Sequence, residues 1–147
     1  MSYIRIWIHA VWGTKNHAPI LKKEIRHDLF HHVQENAKTK QIKIDAINGY
    51  LDHVHCLLSL NSESSISKTM QLIKGESAHW ANQKKISKSK LDWADEYFAV
   101  SVSESVVDKV REYIRNQEAH HKKESFSDEY KKFISRYGFS SHDDRKG

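Results

Sequence analysis

The sequence predicts an α+β fold of the ferredoxin-like (RRM-like) class, a split β-α-β arrangement with two helices on one face of an antiparallel sheet. Segments with strand or helix periodicity follow one another in the order β-α-β-β-α-β. A further amphipathic helix comes after the fourth strand, and we expect it to lie across or beside the sheet face that the first two helices leave open. The chain has 147 residues with one proline and five glycines, which fits a single domain over 1–147, with a mobile tail over about 139–147.

The first strand and helix are predicted from clear periodicity. Residues 3–12 alternate, so Ile8 and Ala10 share one face of a strand while His9 lies on the other. The segment 22–40 repeats its apolar residues at spacings of three and four, as an amphipathic helix does: Ile25, Leu29, Phe30, Val33 and Ala37.

Two strands in the middle of the chain should form a hairpin. Residues 42–47 alternate, with Ile42, Ile44 and Ala46 in phase, and the Asn48-Gly49 turn leads into a strand over 51–60. One face of that second strand holds Val54, Cys56, Leu58 and Leu60, and a covering helix could pack on it. The other face holds His53, His55 and Leu57.

The next helix and strand complete the sheet. Ser64 or Ser65 can cap a helix whose apolar stripe is formed by Ile66, Met70, Ile73, Ser77 and Trp80. Residues 96–103 alternate again and form the fourth strand.

The extra helix is predicted to be long. Ser105 and Asp108 have the spacing of a capping box at its start, and its apolar seam consists of Val106, Val107, Val110 and Ile114. A shorter helix is predicted over about 128–137.

Composition permits a polyanionic partner. The 24 Lys and Arg exceed the 19 Asp and Glu, which gives a net charge of +5 and a pI near 9.2. A mild excess of this size is also common in proteins that bind no nucleic acid. The candidate contacts to phosphates are Lys74, Lys84, Lys85, Arg5 and Lys15.

Apolar runs and cysteine content indicate the compartment. No apolar run approaches the roughly 20 residues of a membrane-spanning helix, so we expect a cytoplasmic protein without a membrane partner. The single cysteine, Cys56, cannot form an internal disulfide, and its place on an apolar strand face favours a buried packing residue over a nucleophile.

The first candidate site is the histidine pair of the third strand. Side chains two apart on a strand point the same way, so His53 and His55 can hold one cation, and His9 would join them if its strand is their neighbour. With 11 histidines in the chain, a His-x-His pattern is expected by chance about 0.8 times. Two histidines hydrogen-bonded within the sheet are therefore the competing interpretation.

The second candidate site is on the extra helix. Tyr113 and Gln117 are four residues apart and share one side of that helix. A Tyr-x-x-x-Gln pair is expected by chance only about 0.2 times in this composition, so it discriminates better than the histidine pair. His120 and His121 follow one turn later, where they could join a cation, contact a phosphate or simply be hydrated.

Together these residues resemble the small single-tyrosine insertion-sequence transposases of the HUH nuclease group, whose hallmark is His-hydrophobe-His on a strand and a catalytic Tyr on a later helix. The resemblance runs nearly end to end, through the segments 9–15, 53–55, 74–77, 98–103 and 113–117.

The resemblance implies a DNA transposase that cleaves single-stranded DNA at hairpin-bearing transposon ends and transfers the strand through a 5′-phosphotyrosine. Tyr113 is the implied nucleophile. His53, His55 and Gln117 are the implied ligands of one Mg²⁺ or Mn²⁺ ion, with His9, His120 and His121 as possible further contacts to metal or DNA. Imidazole ligands on general grounds also suit Co²⁺ or Ni²⁺. The family further implies a homodimer whose active sites are shared between subunits.

Three alternative functions share parts of this pattern. A non-catalytic module that binds single-stranded nucleic acid would stack bases on Trp7 and Tyr3 of an open sheet. A replication initiator or relaxase of the same nuclease group would share the histidine pair and the tyrosine, although the small size of the chain argues for a transposase. A His-triad nucleotide hydrolase would need a third alternating histidine where Leu57 stands.

Overall fold

The computed structural model describes residues 2–121 and 125–136, so the tail predicted over 139–147 lies outside the described residues. Four strands form one antiparallel sheet: β1 (Trp7–Gly13), β2 (Lys43–Gly49), β3 (His53–Ser59) and β4 (Phe98–Val102). Their spatial order is β2-β3-β1-β4, with α1 (Lys23–Thr39) joining β1 to β2 and α2 (Ile66–Lys84) joining β3 to β4. The predicted ferredoxin-like fold is therefore confirmed.

The main core lies between the sheet and the helices α1 and α2. The strands contribute the residues that alternation predicts: Ile8, Ala10 and Trp12 from β1, and Val54, Cys56 and Leu58 from β3. The helices contribute Leu29, Phe30, Val33, Ala37, Met70, Ile73 and Ala81. Helix α2 begins after Ser65, whose hydroxyl accepts a hydrogen bond from the amide of Lys68.

The opposite face of the sheet carries the C-terminal helices α3 (Val107–Arg115), α4 (Gln117–His121) and α5 (Phe126–Arg136). Val107 and Ile114 of α3 are buried against Leu57 and Ala46 of the sheet. The extra helix therefore lies across the face that bears the histidine pair, as predicted. No helix in the described ranges is both long enough and apolar enough to cross a membrane.

A β-bulge in β2 corrects one predicted phase. Pairing with β3 shifts register between Ile44 and Ala46, so Ile44 packs on the main core while Ala46 turns to the α3 side. The bulged Asp45 forms an ion pair with Arg111 of α3, with Oδ2 2.6 Å from Nε. The extra residue thus anchors the helix that carries Tyr113.

Four predicted helix or strand boundaries differ from those in the structure. Strand β1 begins at Trp7, because its ladders with β3 and β4 start there, and Tyr3 and Ile4 are exposed. Ser105 lies in a 3₁₀ turn, and its hydroxyl pairs with the hydroxyl of Ser103 (3.0 Å). Ser105 therefore caps no helix, and α3 begins at Val107. The long final helix is interrupted at residue 116, and the helix predicted from 128 begins at 126.

Candidate active site

Four side chains that can bind a metal converge on the α3 side of the sheet: His53, His55, His121 and Glu129. All four are buried, and one ligand atom from each lies within 4.8 Å of the others. Oε1 of Glu129 lies 2.9, 3.1 and 3.4 Å from the Nε2 atoms of His55, His121 and His53. Atoms that share a small divalent ion at about 2.1 Å lie about 3.0–3.4 Å apart. The contacts of Glu129 therefore have lengths that fit either hydrogen bonds or a shared ion.

His53 is oriented by the residue before it. Its Nδ1 donates to Oδ1 of Asp52 (2.9 Å), which leaves Nε2 as an acceptor facing Oε1 of Gln117 (3.3 Å) and Glu129. Acceptors that face each other at this spacing require a proton or a cation between them. Burial lowers the pKa of His53, but hydrogen bonds with Asp52 and Glu129 outweigh this effect and raise it above the ordinary value. The donor set thus attracts positive charge.

His55 is oriented by His9 of the neighbouring strand. Nε2 of His9 lies 2.9 Å from Nδ1 of His55, so the Nε2 atom of His55 points to Glu129. Burial, reinforced by His55, lowers the pKa of His9 to about 3. Burial also lowers the pKa of His55 to about 4, against the opposing hydrogen bond with Glu129. Both rings are therefore neutral at physiological pH, the form in which imidazole binds metals.

Tyr113 reaches this centre within the same chain. Its hydroxyl donates a hydrogen bond to Oε2 of Glu129 and lies 3.5 Å from Nε2 of His120. Its ring meets that of His55 edge-on, with the centroids 5.6 Å apart. Glu129 thus touches the nucleophile candidate with one oxygen and the imidazoles with the other.

Helix α5 closes one side of the centre. The ring of Phe126 stacks on that of His53, with centroids 4.1 Å apart and an interplanar angle of 3°. Phe126 fits there because Gly13 has no side chain: a Cβ on Gly13 would come 2.9 Å from its ring. On the open side, a cleft of about 1020 Å³ reaches Tyr113 and His120, and its charged lining consists of three lysines and two acids: Lys109, Lys131, Lys132, Glu112 and Asp128.

The family model described as "Transposase IS200 like" matches residues 2–117. The chain belongs to the IS200-like transposase family. Its function class is therefore DNA transposition. No curated protein matches the chain.

Two solved structures are similar to this chain in fold. One is a Deinococcus radiodurans R1 protein assigned as a transposase, with a TM-score of 0.59 and 23% identity, covering 79% of this chain and 93% of that one. The other is a REP-associated tyrosine transposase bound to a REP hairpin, with a TM-score of 0.58 and 18% identity, covering 82% of this chain and 72% of that one.

Three of the five predicted phosphate contacts, Arg5, Lys15 and Lys74, interact with other groups of the protein. Arg5 pairs with Glu104 (2.7 Å), and Nζ of Lys15 lies 3.9 Å from Asp92. The ammonium of Lys74 donates to the carbonyls of Ala94 and Asp95 at 2.7 and 3.0 Å. Lys84 and Lys85 lie at the end of α2, on the other side of the sheet.

Glu129 is the central residue that the sequence prediction missed. Phe126, Glu129 and Tyr130 are spaced by three and four, so the acid interrupts the apolar stripe of α5, and that is the only local sign of its role. The contact between Glu129 and His55 joins residues 74 positions apart. Asp52 was missed for a different reason, because an acid in a turn is usually solvated.

Proposed function

We propose that the protein is a metal-dependent transposase of single-stranded DNA, acting at hairpin-bearing transposon ends through a 5′-phosphotyrosine. The observation that supports this proposal is the convergence, within one chain, of Tyr113 with two strand-borne imidazoles. The hydroxyl of Tyr113 and Nε2 of His55 contact the two oxygens of a single buried carboxylate.

His53, His55 and Gln117 are the proposed ligands of one divalent ion, Mg²⁺ or Mn²⁺. The fit rests on the neutral imidazole of His55 and on the facing acceptors of His53 and Gln117. When bound, the ion would neutralise charge on the phosphate oxygens during attack. His9 orients His55, whereas His120 and His121 lie close enough to serve as further contacts to metal or DNA.

Tyr113 is the proposed nucleophile. A phenol has a pKa near 10, so it needs a nearby acceptor for its proton as its oxygen bonds to phosphorus. The phosphotyrosine that forms keeps the energy of the broken phosphodiester bond. The strand end released as a 3′-hydroxyl can therefore attack it and reseal DNA without an external energy source.

Labelled single-stranded DNA that carries the element's own ends tests the proposal. With Mn²⁺ we expect a denaturant-resistant protein–DNA adduct, which EDTA abolishes and Tyr113→Phe prevents while hairpin binding persists. Tyr130→Phe, a nearby phenol on α5, is the matched control and should keep the adduct. An adduct that survives Tyr113→Phe contradicts the proposed nucleophile.

A non-catalytic single-strand-binding module is less consistent with the structure. The sheet face that it would need is covered by α3, and Trp7 packs against the cluster of Val107 and Ile114. Such a module would also lose nothing in the Tyr113→Phe variant.

The proposed partners are hairpin-bearing single-stranded DNA and a second copy of the chain, in the cytoplasm. Lys74, Lys84, Lys85, Arg5 and Lys15 remain proposed phosphate contacts. A site shared between subunits would require the helix with Tyr113 to leave the His55 of its own chain. Light scattering at micromolar concentration tests the homodimer, and a mass of one chain would count against it.

A further inference from the structure

We propose that Glu129 is a ligand of the metal ion and, through its second oxygen, holds the hydroxyl of Tyr113 beside it. This inference rests on the proposed function and extends it. The family model ends at residue 117, so α5 and its glutamate lie beyond the matched part of the chain.

The first oxygen of Glu129 faces the imidazole nitrogens that would hold the ion with it. Oε1 lies 2.9 Å from Nε2 of His55 and 3.1 Å from Nε2 of His121, which are hydrogen-bond lengths and also the lengths expected between two ligands of one ion at about 2.1 Å. Glu129 is only 2% exposed. A carboxylate this deeply buried requires positive charge beside it, and a divalent ion held together with His55 would provide that charge.

The second oxygen acts on the nucleophile. Oε2 accepts the hydrogen bond of Tyr113 and lies 3.3 Å from Nε2 of His120. One carboxylate thus contacts both the phenol hydroxyl and the imidazoles that would hold the ion. Holding the attacking atom in place in this way lowers the entropic part of a barrier.

Helix α5 keeps the carboxylate in position. Phe126, one turn before Glu129, stacks on His53, and the amide of Glu129 donates to the carbonyl of Ser125 (3.0 Å). Tyr130 packs with Phe126, at a centroid distance of 6.0 Å. These contacts hold α5 against the sheet, and the position of the Glu129 carboxylate therefore depends on the packing of the whole helix.

Calorimetric titration of the full chain with Mn²⁺ tests the inference without relying on activity. We expect Glu129→Gln and Glu129→Ala to weaken Mn²⁺ binding by about tenfold or more, since even partners behind the ligands are worth about that much. Asp128→Asn is the matched control, because it removes the same charge from an exposed neighbour. Thermal unfolding of each metal-free variant verifies that it folds.

Co²⁺ supplies a spectroscopic measurement that a purely structural role would not change. We expect Glu129→Gln to alter the position and intensity of the Co²⁺ d–d absorption bands, and Asp128→Asn to leave them unchanged. We also expect Glu129→Gln to slow adduct formation at saturating Mn²⁺, because Tyr113 loses its negatively charged acceptor.

Unchanged Mn²⁺ affinity in a folded Glu129→Ala variant would overturn the inference. Faster adduct formation would also overturn it, because it would mean that the carboxylate only obstructs the site.

The proposed function and the proposed role of Glu129 can fail separately. If the unaltered protein forms no adduct but its Mn²⁺ affinity depends on Glu129, the metal ligand stands and the transposition chemistry does not. If Tyr113→Phe abolishes the adduct and Glu129→Ala binds Mn²⁺ normally, only the role of Glu129 is lost.

Discussion

His9 illustrates how a buried residue can orient a candidate metal ligand without belonging to the group of His53, His55, His121 and Glu129. Its Nε2 meets Nδ1 of His55 and thereby selects the ring nitrogen that faces Glu129. We expect His9→Phe, which keeps a ring but loses the hydrogen bond, to weaken Mn²⁺ binding by about 10–100-fold. Calorimetry measures this, with the exposed His27→Phe as control. Equal Mn²⁺ affinities in the two variants would show that the orientation of the His55 ring does not depend on His9.

Cys56 is one residue from His55 yet points into the other layer of the protein. It is fully buried in the main core, and burial raises the pKa of its thiol well above the ordinary value. Because the thiolate is the reactive form, we expect no labelling by iodoacetamide at pH 8 in the native protein and rapid labelling in urea. Mass spectrometry distinguishes the two cases. Rapid labelling of the native protein would show that the thiol of Cys56 is exposed at the surface.

At the scale of elements, the tight β2–β3 hairpin sets the position of His53. A Cβ on Gly49 would lie 2.1 Å from the carbonyl oxygen of His53. Because that oxygen belongs to the backbone of β3, the strand itself would have to move. We expect Gly49→Ala to lower the free energy of unfolding by about 2 kcal/mol in urea titrations. It should also weaken Mn²⁺ binding, because the strand that carries His53 must shift.

Gly75 is the matched control, since the same change should have the opposite sign. It lies inside α2, and a Cβ there would have no heavy atom within 4 Å. Alanine favours a helix interior over glycine, so we expect Gly75→Ala to raise the free energy of unfolding by about 1 kcal/mol. A loss of stability would mean that the surface beside α2 is more crowded than the structure shows.

Elements with a regular apolar pattern could be predicted from sequence, and elements defined by distant contacts could not. The alternation of β3 identified both the buried face with Cys56 and the opposite face with His53 and His55. The seam of Val107 and Ile114 correctly placed α3 on that opposite face. The bulge at Asp45 and the position of Glu129 depend on packing with α3 and β3, which no local pattern encodes.

For the whole molecule, the sheet separates two groups of basic residues. Lys109 and Lys131 line the cleft that reaches Tyr113, whereas Lys84 and Lys85 lie at the end of α2 behind the sheet. Under the proposed function, we expect single-stranded DNA to bind in the cleft and a hairpin stem to bind at the end of α2. The two groups should therefore bind different parts of the same DNA.

Salt dependence of binding distinguishes the two surfaces. Each phosphate contact releases counterions, so it adds to the slope of log affinity against log salt. For an oligonucleotide without a hairpin, we expect the Lys109→Gln/Lys131→Gln double variant to reduce this slope by about 0.7 for each lysine. Lys84→Gln/Lys85→Gln should leave that slope unchanged but reduce it for hairpin-bearing DNA by about 0.9 for each lysine. Fluorescence anisotropy at several salt concentrations gives both slopes. If both double variants behaved alike on both DNAs, net charge rather than position would govern binding, and the separation of the two surfaces would have no functional meaning.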